Sequence, residues 1–217
     1  MTAGTTRRRA AAPAYHHGDL RPTLIEGAER LLERDGVAGL SLRAVAREAA
    51  VSHTAPYRHF RDKTDLLGEL VRTGFDRLAT AITRAAARHP GDPAAALLAS
   101  GRAYVRLAVA SPNLTTLMFG GLDQDALNQE QRAAGDRAFA ALVAIVERGR
   151  HAGLYRDHDA LTLAVTAWSA MHGLATLFTT QSLARATGSR RAADELAAAV
   201  GHLLLHGLLR HPPRAQP

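Results

Sequence analysis

The chain has 217 residues, a formal charge of +7 and a pI of about 10.8, and it contains no cysteine. Disulfides, thiolate metal sites and cysteine catalysis are thereby excluded, while the positive balance points to a polyanionic partner such as nucleic acid or an anionic membrane surface. Hydrophobic residues make up 47% of the chain, and the abundance of alanine, which favours helix and buries little area, predicts many closely packed helices and no strand.

The opening stretch MTAGTTRRRAAAPAYHH has no apolar run after Arg7, Arg8 and Arg9, so residues 1–17 read as a disordered basic arm and not as a signal peptide. A first helix is expected from Leu20 to Arg34, with Asp19 able to cap it and Pro22 in its first turn. Leu24, Ala28, Leu31 and Leu32 form its apolar stripe, and RDGVAGL ends it with two glycines. Ser41 is a good N-cap for a second helix, LRAVAREAA, expected to bury Leu42, Val45, Ala46 and Ala49.

The segment AREAAVSHTAPYRHFRDKTDLL then poses the problem of Pro56. With Ser52 or Thr54 as N-cap, the proline falls in the first turn of a short helix, where a missing N–H costs nothing. It therefore marks the start of that helix, about two turns long, and makes residues 41–60 a helix-turn-helix. Such a pair suits DNA because the major groove admits one helix while the other braces it. Ser52, His53 and Thr54 can meet base edges and the Pro56 ring a thymine methyl. Tyr57, Arg58, His59 and Lys63 can donate to phosphates, and Ser41 and Arg43 of the bracing helix join the DNA-facing set. Lys63, the sole lysine, opens a long helix capped by Asp62 that keeps helical spacing through Leu66, Leu67, Leu70, Val71, Phe75, Leu78 and Ile82. Phe60 is expected to pack inward. Spacing and charge leave open a plain helical hairpin with a solvated rim.

HPGDP at 89–93 separates this unit from helices expected at 93–110, 113–119, 123–151, 158–184 and 190–210. Residues 160–184 hold no charge and are long enough to span a bilayer. Five threonines, two serines, a glutamine and His172 within them, with Trp168 inside the run, argue for burial within protein. One face could serve the protomer core and the other a partner subunit, 158–184 and 190–210 together making an intermolecular four-helix bundle. Tyr104, Met118, Phe119, Trp168, Met171, His172 and Phe178 are candidate pocket residues, although aromatics at helical spacing also serve as plain core. His202 and His206 have the spacing of a metal pair, but no glutamate lies between them and no third ligand is evident, so no metal or cofactor is expected. The motifs of di-metal carboxylate, serine-hydrolase, phosphate-loop and zinc-protease enzymes are all missing.

SLRAVAREAAVSHTAPYRHFRDKTDLL resembles the helix-turn-helix of TetR-family transcriptional regulators and the start of the helix that follows it, the resemblance running from about Gly18 to Leu78. YHHGDLR at 15–21 resembles the lead-in of one subgroup, and AWSAMHGLATLF at 167–178 is similar to that subgroup's Trp-x-x-x-His-Gly motif. The resemblance implies an all-α homodimer, with an N-terminal three-helix DNA-binding domain at 18–78. A larger helical effector-binding and dimerisation domain follows at 79–211, and a tail at 212–217. It places base contacts at Ser52 to Pro56 and phosphate contacts at Tyr57, His59 and Lys63. The implied protein is a cytoplasmic regulator without enzymatic activity, a dimer released from a palindromic double-stranded DNA operator by a small-molecule effector, with no membrane partner. The alternatives are an architectural DNA-binding protein without a ligand and a helical-bundle enzyme.

Overall fold

The computed structural model describes residues 20–122, 125, 127–180, 182 and 190–208, and every regular element among them is helical. The expected Asp19 cap and the basic arm lie outside the described residues. Helix α1 (Leu20–Gly39) runs further than expected, because the chain turns at Gly36 with φ 67° and winds on to Gly39. Only glycine takes that left-handed conformation at no steric cost. Helix α2 (Leu42–Glu48) is capped by Ser41, whose Oγ accepts from Ala44 N at 3.1 Å. It buries Ala44 with Leu42, Val45 and Ala46, while Ala49, expected in the core, is the half-buried C-cap.

The turn after α2 is a Schellman motif. Val51 N donates to Ala46 O (2.9 Å) and Ala50 N to Arg47 O (3.1 Å). The residue in its left-handed position is Ala50, at φ 56°. The expected two-turn helix is a single 3-10 turn, Pro56–Arg58, with Pro56 at its start and no side-chain cap from Ser52 or Thr54. Those two hydroxyls instead bond each other at 3.0 Å. Phe60 is buried, with the Arg21 guanidinium 5.6 Å above its ring.

Helix α3 (Lys63–Ala86) begins at Asp62, which accepts from Asp65 N at 2.8 Å, and is the spine of the molecule. Its first half packs on α1, its flank on α5, and its length on α4 (Pro93–Ala110) and α6 (Gln129–His151). Two glycines allow the close crossings. A Cβ on Gly68 would lie 2.5 Å from the Gln131 amide, and one on Gly74 would lie 2.5 Å from Met118 Sδ. Helix α5 is Pro112–Gly120. Helix α6 starts at Gln129, later than expected, where Asn128 and Gln131 form a capping box. Helix α7 (Ala160–Thr179) starts behind the Asp159 cap and ends before the expected 184, with residues 183–189 outside the described set. Helix α8 (Arg190–Leu208) is held to α4 by Asp194, which accepts from Arg102 and Arg106. Those two arginines keep its carboxyl far below the usual range.

The core does not divide at the HPGDP turn. One apolar cluster runs from Leu24 and Phe60 through Leu70 and Tyr104 to Phe178 and Ala197, and a second gathers Ala86, Leu97, Ile145 and Leu205.

An alanine held left-handed carries a steric cost of about 1–2 kcal/mol that glycine escapes. Ala50→Gly should therefore stabilise the fold by about 1 kcal/mol net and raise Tm in calorimetry. An unchanged or lower Tm would mean that the turn is unstrained.

Candidate DNA interface and apolar cavity

The first candidate site is built from α2 and the turn after it. Arg43 and Arg47 are exposed and lie one helical turn apart on the same side of α2. Ser52, His53, Thr54, Tyr57 and Arg58 are exposed, and His59 is half-buried. Arg43, Arg47 and Arg58 have no carboxylate partner among the described residues. Neighbouring arginines do: Arg30 and Arg34 pair with Glu48 and Arg61 with Asp65. The local surface thus leaves its uncompensated cations on the helix-turn-helix, as a phosphate-binding face requires.

One expectation needs correction here. Pro56 is buried, so its ring stiffens the turn from inside and does not reach a thymine methyl. Ser41 spends its oxygen on the cap of α2, leaving its hydroxyl proton to offer. Lys63, half-buried, donates from Nζ to Val37 O at 2.6 Å, which leaves two of its three N–H donors. Arg47 was missed by the sequence reading, although its spacing from Arg43 could have revealed it.

The second candidate site is a partly open cavity of about 520 Å³ lined by residues of α3 to α8. Phe75, Leu78 and Ile82 line it from α3, Tyr104 from α4, Met118 and Phe119 from α5, Phe139 and Leu142 from α6, and Trp168 and Met171 from α7. Phe119 is the centre of an aromatic cluster. Its ring lies 5.3 Å from Phe75, edge-on, 6.2 Å from Tyr104, 6.0 Å from Trp168 and 4.7 Å from His172. Trp168 in turn meets Phe139 at 5.8 Å.

Five of the seven expected pocket residues reach this cavity, and two do not. Phe178 is buried in the core away from it. His172 stands behind the wall, its Nδ1 2.6 Å from the Tyr104 hydroxyl. Burial pushes the Tyr104 hydroxyl well above its usual range, with Trp168 acting weakly the other way, and it lowers the pKa of His172. A protonated tyrosine and a neutral imidazole therefore share this hydrogen bond. Phe75 and Phe139 were absent from the expected set, because helical spacing alone reads them as core.

The two sites are physically linked. Helix α5 has no side-chain cap of its own and opens with Pro112. Glu33 of α1 fills the vacancy, accepting from Asn113 N at 3.2 Å and Leu114 N at 2.9 Å. Asn113 Nδ2 answers by donating to Leu32 O (2.9 Å) and Glu33 O (3.1 Å). On α3, the buried Glu69 holds Arg21 of α1 in a two-pronged pair at 3.0 and 2.8 Å and also accepts from Arg72. Burial works against its negative charge, but hydrogen bonds from Arg72 and Arg21 outweigh this and hold its carboxyl below the usual range. Arg72 continues to Asp76, and Asp76 to Arg137 of α6.

Residues 24–70 match the family profile described as bacterial regulatory proteins, tetR family, and residues 97–204 match that of the tetracyclin repressor-like C-terminal domain. A stretch of 79 residues is 33% identical to the HTH-type transcriptional regulator AcrR of Shigella flexneri, spanning 36% of this chain and 37% of that protein. A solved protein of unknown function from Rhodococcus sp. RHA1 is 38% identical with a TM-score of 0.80, over 92% of this chain and all of its own. The TetR-family regulator PfmR of Thermus thermophilus is 26% identical with a TM-score of 0.67, over 88% of this chain and 98% of its own.

The neutral state of His172 has a measurable signature. Below the unfolded value of about 6.5 the unfolded ring takes up a proton that the native ring resists. Its contribution to stability is thus present above that pH and lost as pH falls toward the lowered native value. His172→Gln should show a smaller fall in Tm between about pH 7.5 and 5.5 than the wild type. Parallel pH profiles would contradict a buried neutral imidazole.

Proposed function

We propose that this chain, which belongs to the TetR family of bacterial regulatory proteins, is a ligand-released repressor that grips a palindromic operator as a dimer. As a member of that family it is a DNA-binding transcriptional regulator and not an enzyme. The observation that carries the fuller reading is the sharing of elements. Helices α3 and α5 line the cavity and also pack on α1, the helix that supports the helix-turn-helix.

In this reading residues 18–78 bind DNA, and residues 79–211 bind the effector and the second subunit. Arg43, Arg47, Tyr57, Arg58, His59 and Lys63 hold phosphates, while Ser52, His53 and Thr54 meet base edges. One 3-10 turn offers few base contacts, so specificity needs two copies about one DNA turn apart. A ligand displaces this equilibrium only by favouring the dimer form that no longer matches that spacing. Its push would reach α1 through Met118 and Phe119 on α5, whose N-terminus is tied to Glu33. The cavity favours this reading over an architectural DNA-binding protein, which has no use for one. A cytoplasmic location follows from the proposed operator.

The dimer would form through α7 and α8. Helix α7 is long and apolar enough to cross a membrane, yet it is packed on α4, α6 and α8. Its exposed positions include Leu161, Val165, Ser169, Gly173, Thr176 and Leu177, none of them charged. An added Cβ on Gly173 would meet nothing within 4 Å in the protomer. On α8, Leu203 is 74% exposed. An uncharged face of this kind supports a two-fold helical seam.

Leu177→Glu combined with Leu203→Glu places carboxylates in that seam. Sedimentation should then find monomers where the wild type is a dimer. Operator affinity should fall about a hundredfold or more, because the second half-site is no longer tethered. A variant that stays dimeric, or a wild type that is monomeric, would refute the seam.

A further inference from the structure

The cavity wall specifies the kind of molecule it takes. Twenty-two of the described residues line it, and none of these is Asp, Glu, Lys or Arg. Among these described residues only three side chains carry a polar nitrogen or oxygen. The Ser100 hydroxyl bonds the carbonyls of Ile82 (3.2 Å) and Ala96 (2.8 Å). The Tyr104 hydroxyl bonds His172, and Trp168 has only its indole N–H. A carboxylate, phosphate or ammonium entering such a space would lose its hydration and find no counter-charge.

The wall is also unusually aromatic. Phe75, Tyr104, Phe119, Phe139 and Trp168 line it, in a chain where aromatic residues are 5% of the total. Their rings meet one another at 5.3–6.2 Å in tilted or edge-on pairs, so they form a continuous aromatic surface against which a further ring can pack. At about 520 Å³ the space matches a drug-sized molecule.

We propose that the effector is an uncharged, ring-bearing apolar molecule that packs against this aromatic cluster and presents at most one polar group, to the Tyr104 hydroxyl. This rests on the reading of the cavity as the effector site. It excludes acids, phosphate esters and organic cations as ligands held within the wall.

The test needs no label, because Trp168 is the sole tryptophan and lies in the wall. Its fluorescence is followed in the full chain on titration with para-phenylphenol and with two charged isosteres, para-phenylbenzoate and para-phenylbenzylammonium. Decanol serves as a neutral ligand without a ring. The neutral biphenyl should bind at least about a hundredfold more tightly than either charged isostere and more tightly than decanol. Ala138→Leu, which fills part of the cavity, should weaken that binding about tenfold. A charged isostere that binds as tightly, tighter binding of decanol, or no quenching by any of the four overturns the assignment. So does biphenyl binding that survives in a folded Ala138→Leu. Anisotropy of labelled operator, recorded in parallel, reports release separately. Tight neutral binding without release leaves the ligand class standing and defeats the ligand-released repressor.

Discussion

The arrangement depends most on one carboxylate at the wrong address. Helix α5 begins with a proline and lacks a cap of its own, so the N–H groups of Asn113 and Leu114 would be orphaned. The charge that satisfies them comes from Glu33, about eighty residues earlier on α1, at the helix end where a negative group is most favourable. That contact ties the supporting helix of the DNA-binding half to the helix that carries Met118 and Phe119 into the cavity. Glu69, held between Arg21 and Arg72, makes the parallel tie from α1 to α3. With the apolar core continuous beneath them, α1 cannot shift without α3 and α5.

The same economy explains the charge pattern. Arg21, Arg30, Arg34, Arg61, Arg72, Arg102, Arg106 and Arg137 are spent on structure, on Glu48, Asp65, Glu69, Asp76 or Asp194. The cations left unpaired on α2 and its following turn stand out because their neighbours are neutralised. A net charge of +7 does not by itself place a binding face. The pairing does.

Much of the DNA-binding half was legible in the sequence because its cues are local. Ser41, Asp62 and the position of Pro56 each follow from which N–H groups a helix start leaves open, and all three stand where that logic puts them. The logic failed where tertiary contacts decide. Burial of Pro56 depends on the core beneath it, and the kink at Gly36 depends on how α1 meets α2. No local rule foretells that a glutamate on α1 will cap α5. In the second half, periodicity recognised apolar faces but could not tell a cavity wall from plain core. Phe139 was passed over and Phe178 included for that one reason. The uncharged α7 was read as packed within protein because its threonines and His172 argued against lipid. In the protomer one of its faces is packed and another, with Leu161, Val165 and Leu177, is exposed.

The central claim is that the helix-turn-helix reads one DNA sequence, and fluorescence anisotropy tests it most directly. The full-length protein would be titrated onto labelled DNA from the flank of its own gene and onto scrambled DNA of equal length, across a salt series. The account predicts a specificity ratio of about a thousandfold or more at physiological salt, with one dimer per palindromic site and affinity for both DNAs falling steeply as salt rises. Weak binding, equal for the two DNAs and abolished by moderate salt, would contradict it and leave the helix-turn-helix as scaffold beneath a basic surface.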